Sequence, residues 1–135
     1  MKIERFEDLT AWQEARLLVK SVYQATKNSA FAADRDLTRQ VRRAATSVMS
    51  NIAEGFSRYS FKDSKQFFVV ARGSLAELRS HAYVVLDQRY VVKEEAEAIQ
   101  AQVELVGKLV SGLIRNARRQ LEASALETNS EPLSH

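Results

Sequence analysis

Asp34-Arg35-Asp36-Leu37-Thr38-Arg39-Gln40-Val41-Arg42-Arg43-Ala44-Ala45-Thr46-Ser47-Val48-Met49-Ser50-Asn51-Ile52-Ala53-Glu54-Gly55-Phe56 reads as one long helix. Leu37, Val41, Ala44, Val48 and Ile52 recur at three and four residues, the spacing of a helix buried along one face. Asp34 and Asp36 favour the positive end of the helix dipole, and Gly55 is a natural stop. Roughly opposite the apolar row run Arg35, Arg39 and Arg42. Between them lies a third row, Gln40, Arg43, Ser47, Asn51 and Glu54, polar yet beside the core. An amphipathic surface helix needs only two rows, so the third needs its own explanation.

Working outward, a preceding helix runs from about Thr10 to Thr26 on Ala11, Ala15, Leu18, Val22 and Ala25, with Thr10 and Gln13 as a capping box. Beside its core row stands a second apolar row, Trp12, Val19 and Tyr23, which a lone small bundle would leave partly wet. Ser60-Phe61-Lys62-Asp63 is another capping box, opening a helix with Phe67, Ala71, Ser74, Leu78, Ala82 and Val85 on one stripe to about Arg89. A last helix begins near Lys93 and carries Ile99, Val103, Val106, Val110, Leu113 and Ala117. Its acids come early and its bases late, as the dipole prefers. Four such helices with short connections predict an all-α fold, an antiparallel up-and-down four-helix bundle over residues 1–123. Residues 124–135, Ser/Glu-rich and without periodicity, are expected to form a flexible tail.

Composition narrows the function classes. Of 135 residues, 45% are hydrophobic and 27% charged, ordinary values for a folded domain. Four Gly and one Pro supply too little turn chemistry for an all-β fold. The absence of Cys excludes disulfides, thiolate metal sites and cysteine nucleophiles. With neither a membrane-length apolar run nor a signal-peptide pattern, a cytoplasmic protein is expected. The net charge of +3 is too small to identify a partner by itself, so the distribution of charge carries the argument.

Two basic ridges stand out: Arg35, Arg39 and Arg42 on the second helix, and Lys65, Arg72 and Arg79, repeating every seven residues, on the third. Such ridges hold phosphates through counterion release, or they are solvated helix faces. The polar row on the second helix has a counterpart on the third in Gln66, Gly73, Glu77 and His81. Ser47 and Asn51 are mediocre helix formers, which points to specific hydrogen bonds. Gly73, unfavourable in a helix interior, suggests a close backbone approach. Together Gln40, Arg43, Ser47, Asn51, Glu54, Gly73 and Glu77 read as a structural polar seam between helices or subunits, with Arg43 paired to Glu77 or Glu54.

Di-iron bundles use two Glu-x-x-His pairs; here Glu77 and His81 stand four apart, with no second pair, so neither metal nor cofactor is expected. No nucleophile elbow or phosphate-cradling loop is present. Arg79-Ser80-His81 has the wrong spacing for helical ribonucleases of the higher eukaryote and prokaryote nucleotide-binding type. No enzyme signature remains.

Phe6-Glu7-Asp8-Leu9 with Trp12-Gln13, Gln40 to Ser47, Asn51-Ile52-Ala53-Glu54-Gly55 and Ala71 to Leu78 together resemble the four-helix bundle proteins encoded by intervening sequences in bacterial 23S rRNA genes, a ribosomal-protein-like family. The resemblance covers Phe6 to about Ala117. It implies a homo-oligomeric ring, a pentamer, with a basic surface for nucleic acid, RNA favoured over DNA by the gene setting. A related branch, the accessory variability proteins of diversity-generating retroelements, forms similar pentamers that bind nucleic acid and a reverse transcriptase; no residue here marks that branch. The family's characteristic polar positions fall on Gln40, Arg43, Asn51, Glu54, Gly73 and Glu77. Phe31-Ala32-Ala33-Asp34 departs from the family, whose second helix usually follows a Pro-containing lead-in. The expected function is therefore a non-enzymatic nucleic-acid-binding scaffold; the rival is a protein-interaction adaptor that binds no nucleic acid.

Overall fold

The computed structural model describes residues 2–130. Their secondary structure is helical throughout: a 3-10 turn at Phe6–Asp8, then α1 (Thr10–Ala25), α2 (Ser29–Ala33), α3 (Arg35–Phe56), α4 (Phe61–Asp87) and α5 (Lys93–Ser130). Helix α1 packs on α3 and α5, α3 also on α4, and α4 also on α5, which makes an all-α helical bundle around one core. Leu18, Val48, Ile52, Val106, Val110 and Ile114 are almost wholly withdrawn from solvent at its centre. Each such side chain contributes roughly 1.5–3 kcal/mol of burial.

Local chemistry sets the helix ends. Asp34 Oδ1 accepts from the backbone N–H of Leu37 and so caps α3; Ser60 Oγ does the same for Asp63 at the start of α4. Asp34 Oδ2 also accepts from the Tyr90 hydroxyl at 2.9 Å, tying the α4–α5 turn to the head of α3. This hydrogen bond, with desolvation adding to it, raises the Tyr90 pKa above the ordinary tyrosine value. The lead-in to α3 is the short helix α2, capped by the Asn28 side chain accepting from Ala30 N–H; Phe31 anchors it in the core. The capping box expected at Thr10 does not form: the N-cap is Leu9, and Gln13 Nε2 instead donates to the Glu7 carbonyl at 2.9 Å.

Three other expectations are corrected. The buried stripe of α4 includes Phe68 and Leu75, one position on from Phe67 and Ser74, because α4 packs against both α3 and α5 and turns the face between them inward. Gly55 has no positive φ and does not end α3 as a left-handed cap. It admits the Phe68 ring: a Cβ there would stand 2.5 Å from Cε1 and 2.8 Å from Cδ1. Finally, α5 stays helical to Ser130, through most of the stretch expected to be a flexible tail. Burial ends earlier, with Ala117 buried, Leu121 half-buried and residues 122–127 exposed. Ala123, Ala125, Leu126 and Glu127 are good helix formers, so loss of periodicity there ends packing without ending the helix. Residues 131–135, the rest of that expected tail, lie outside the described residues.

Candidate nucleic-acid interface

The two basic ridges have different fates. On α3, Arg35 is exposed and Arg39 bonds Asp36 within its own helix. Arg42 leaves the outward stripe expected of it. Its stem is half-buried, Nε donates to Thr26 Oγ1 at 2.9 Å, and its guanidinium lies 4.5 Å from the Tyr23 ring centroid. A long aliphatic stem lets the charged head reach across to α1 in this way. Thr26, fully buried, donates in turn to the Val22 and Tyr23 carbonyls. Part of the second apolar row of α1 is thereby covered within the chain, Tyr23 by Arg42 and Trp12 by the edge of Phe6.

On α4, Lys65 is half-buried, whereas Arg72 and Arg79 are exposed and line a groove of about 1210 Å³ between α4 and α5. Lys108 and Arg115 line it from α5, and Lys93 stands at one end, paired with Glu97. Ala76, Ala96, Ala101 and Gly107 give it small lining residues. Glu97 and Glu104 are its carboxylates, against five cationic side chains. Among the described residues Arg72, Arg79, Lys108 and Arg115 have no ion pair. The sequence reading missed Lys108 and Arg115, although they repeat the seven-residue spacing of Lys65, Arg72 and Arg79.

The polar seam resolves into two clusters between α3 and α4. Ser47 Oγ and Ser74 Oγ share a hydrogen bond of 2.8 Å, and Asn51 Nδ2 donates to the Ser47 carbonyl and hydroxyl. Farther along, Arg43 lies 4.0 Å from Glu77, whose carboxylate is 3.5 Å from His81 Nε2. That nitrogen is buried and makes no hydrogen bond. Arg43 and Glu77 are 68% and 44% exposed, so within the single chain their contact is open to solvent. Gln40 turns to Asp36, Glu54 is exposed, and a Cβ at Gly73 would meet nothing within 4 Å, so no other helix of the same chain makes the close approach expected there. No hydroxyl, carboxylate and imidazole converge as a catalytic set in these contacts. Among the described residues no group of three or more His, Asp or Glu could hold a metal ion, and no helix is long and apolar enough to cross a membrane.

The model of the 23S rRNA-intervening sequence protein family matches residues 7–112. The chain belongs to this family. A solved relative is a protein of unknown function from the S23 ribosomal protein family of Bacteroides thetaiotaomicron, 18% identical, with a TM-score of 0.71 over 78% of this chain and 98% of that one. At that identity the likeness is one of fold. No curated protein matches. The family match takes in α1, α3, α4 and the first half of α5, and so both clusters of the seam, together with Arg72, Arg79 and Lys108 in the groove; Arg115 lies beyond it.

Proposed function

We propose that this family member is a non-enzymatic cytoplasmic scaffold that binds nucleic acid, RNA foremost, along the α4–α5 groove. The observation that carries this reading is the set Arg72, Arg79, Lys108 and Arg115, gathered from two helices into one groove and without ion pairs among the described residues. Exposed cations facing one another repel, and phosphates bound between them relieve the repulsion while releasing counterions. On α3 the charges of Arg39 and Arg42 are already engaged within the chain, so the α4–α5 groove leads, Lys65 extends its ridge along α4, and exposed Arg35 is the α3 arginine still free for phosphate. The proposed bundle is antiparallel and up-and-down, which the short connections 57–60 and 88–92 favour. It assembles into a homo-oligomeric ring, a pentamer by family resemblance. Val70 and Val84, exposed on α4 with Gly73 on the same side, offer uncovered apolar surface for that assembly.

Salt titration of fluorescent RNA and DNA against the parent and the Arg72→Ala/Arg79→Ala variant tests the reading. The log–log slope for a single strand is near −0.7 per phosphate, so the double variant should be shallower by about 1–1.5 units per engaged protomer, with helix content unchanged. Equal slopes would remove these arginines from the interface, and no binding at physiological salt would leave the adaptor reading. Light scattering that returned a monomer at micromolar concentration would overturn the ring.

A further inference from the structure

Apart from Phe56, which packs against the core, the aromatic side chains fall into two groups. Phe6 packs edge-on to Trp12, Phe31 lies against Tyr90, Tyr23 is covered by Arg42 and Phe67 by Arg58, and Phe68 is buried against Gly55. Tyr59, Phe61 and Tyr83 have neither a ring nor a cation against them among the described residues, and they are 107%, 44% and 55% exposed. Their placement follows the charge. At 100° per residue Phe61, Lys65, Arg72, Arg79 and Tyr83 fall within an arc of about 40° on α4, a line about 33 Å long. Tyr59 stands just before it in the α3–α4 turn. Tyr83 lines the groove together with Arg72, Arg79, Lys108 and Arg115.

We infer that the groove, together with the α4 ridge that continues beyond it through Lys65, takes single-stranded nucleic acid, with its phosphates on the α4 and α5 cations and unpaired bases stacked on Tyr83 in the groove and on Phe61 and Tyr59 at the far end of the ridge. The inference rests on the proposed nucleic-acid function and adds the substrate class. Cations alone do not separate a single strand from a duplex, since both present phosphates. Exposed rings do, because a base offers its π-face only when it is unstacked, and stacking of this kind is tolerant of sequence. A duplex on the same ridge would satisfy the arginines and leave all three rings in water. The interleaving also orders the contacts: three cations between the aromatic ends require a strand that runs along α4, not one that crosses it.

The experiment uses the intact protein with a 5′-labelled 20-nucleotide oligouridine and an RNA duplex of the same length, read by fluorescence anisotropy at a fixed salt concentration of about 150 mM. The single strand should bind more tightly than the duplex. Tyr83→Ala and Tyr59→Ala should each weaken single-strand binding by roughly 5- to 150-fold, the range of a lost stacking contact, with the salt slope unchanged because no phosphate contact is removed. Tyr83→Trp should retain binding. Both tyrosines are exposed, so circular dichroism of the alanine variants should match the parent. Duplex binding as tight as single-strand binding, or alanine variants that bind like the parent, would overturn the inference and leave the nucleic-acid function standing. Absence of binding to either RNA would overturn the function itself, and with it the inference; capture of an acidic polypeptide on the same tyrosines in that case would assign the groove to a protein.

Discussion

Helix α4 meets α3 on one side and α5 on the other, and the two contacts are built on different plans. Toward α3 the surfaces interlock: Phe68 enters the space that Gly55 leaves, and Ser47, Ser74 and Asn51 close a hydrogen-bonded line beside it. Toward α5 the buried Leu75 and Val103 belong to the common core and also floor a groove walled by arginine and lysine. The same residue types therefore do different work. Glycine makes room for a ring at position 55 and faces open space at 73. Arginine is fastened to the protein at position 42 and presented to solvent at 72 and 79.

The largest expected effect separates the two glycines. Phe68 is buried and cannot swing away from a new side chain without disturbing its neighbours, and the Cβ of Phe67 is a further 3.2 Å contact fixed by the backbone. Gly55→Leu should cost about 3 kcal/mol or more, at the upper end of overpacking. Gly73→Ala should stabilise by about 0.5–1 kcal/mol, because it adds a good helix former where nothing obstructs it. Chemical denaturation of both variants measures the contrast. Two changes of the same sign would show that the difference between the glycines is not one of space.

A smaller effect separates the arginines. Arg42→Ala removes a hydrogen bond to a buried hydroxyl and a cation over an aromatic ring, together about 1–2 kcal/mol. Arg72→Ala and Arg79→Ala remove exposed charges without ion-pair partners among the described residues, and should leave the unfolding free energy within about 0.5 kcal/mol of the parent. Stability loss at Arg42 with affinity loss at Arg72 and Arg79 would keep the two ridges apart. If Arg42→Ala left stability unchanged, its contact with α1 would be incidental and the α3 ridge would regain its claim on phosphate.

This contrast also marks where the sequence was legible. The apolar row of α3 could be read directly because its six buried positions from Leu37 to Ile52 form a narrow stripe flanked by polar residues. Helix α4 was harder. Apolar pairs at Phe67/Phe68, Val69/Val70 and Val84/Val85 surround it, so periodicity left the stripe undefined by one position, and only packing against α3 and α5 chose Phe68 over Phe67. For Arg42 the deciding partner, Thr26, lies on the far side of a turn, at a distance in sequence that no helical wheel spans. The groove was half visible: the seven-residue spacing of Lys108 and Arg115 is in the sequence, but their meeting with Arg72 and Arg79 is a property of the packed bundle.

The smallest effect concerns the polar seam, where the sequence suggested Arg43 paired to Glu77 or Glu54 beside the core; breaking such a pair in a buried setting costs about 3–5 kcal/mol. The geometry argues for less. The Arg43–Glu77 separation of 4.0 Å sits at the limit of an ion pair, and both groups are well exposed, so water screens the charge that either variant would leave behind. Glu77 has a second neighbour in His81, whose Nε2 lies 3.5 Å from the same carboxylate, so the carboxylate does not depend on Arg43 alone. Arg43→Ala and Glu77→Ala should each shift stability by about 1 kcal/mol or less, and a double-mutant cycle should return a coupling of about 0.5 kcal/mol or less that shrinks further in high salt. By contrast Ser47→Ala, which breaks the interlocked line to Ser74 and Asn51 while deleting little volume, should cost about 1 kcal/mol at any ionic strength. A salt-insensitive Arg43–Glu77 coupling of several kcal/mol in the assembled protein would mean that the pair is sealed from solvent by a second copy, and would move this edge of α3 and α4 from the surface into the ring interface.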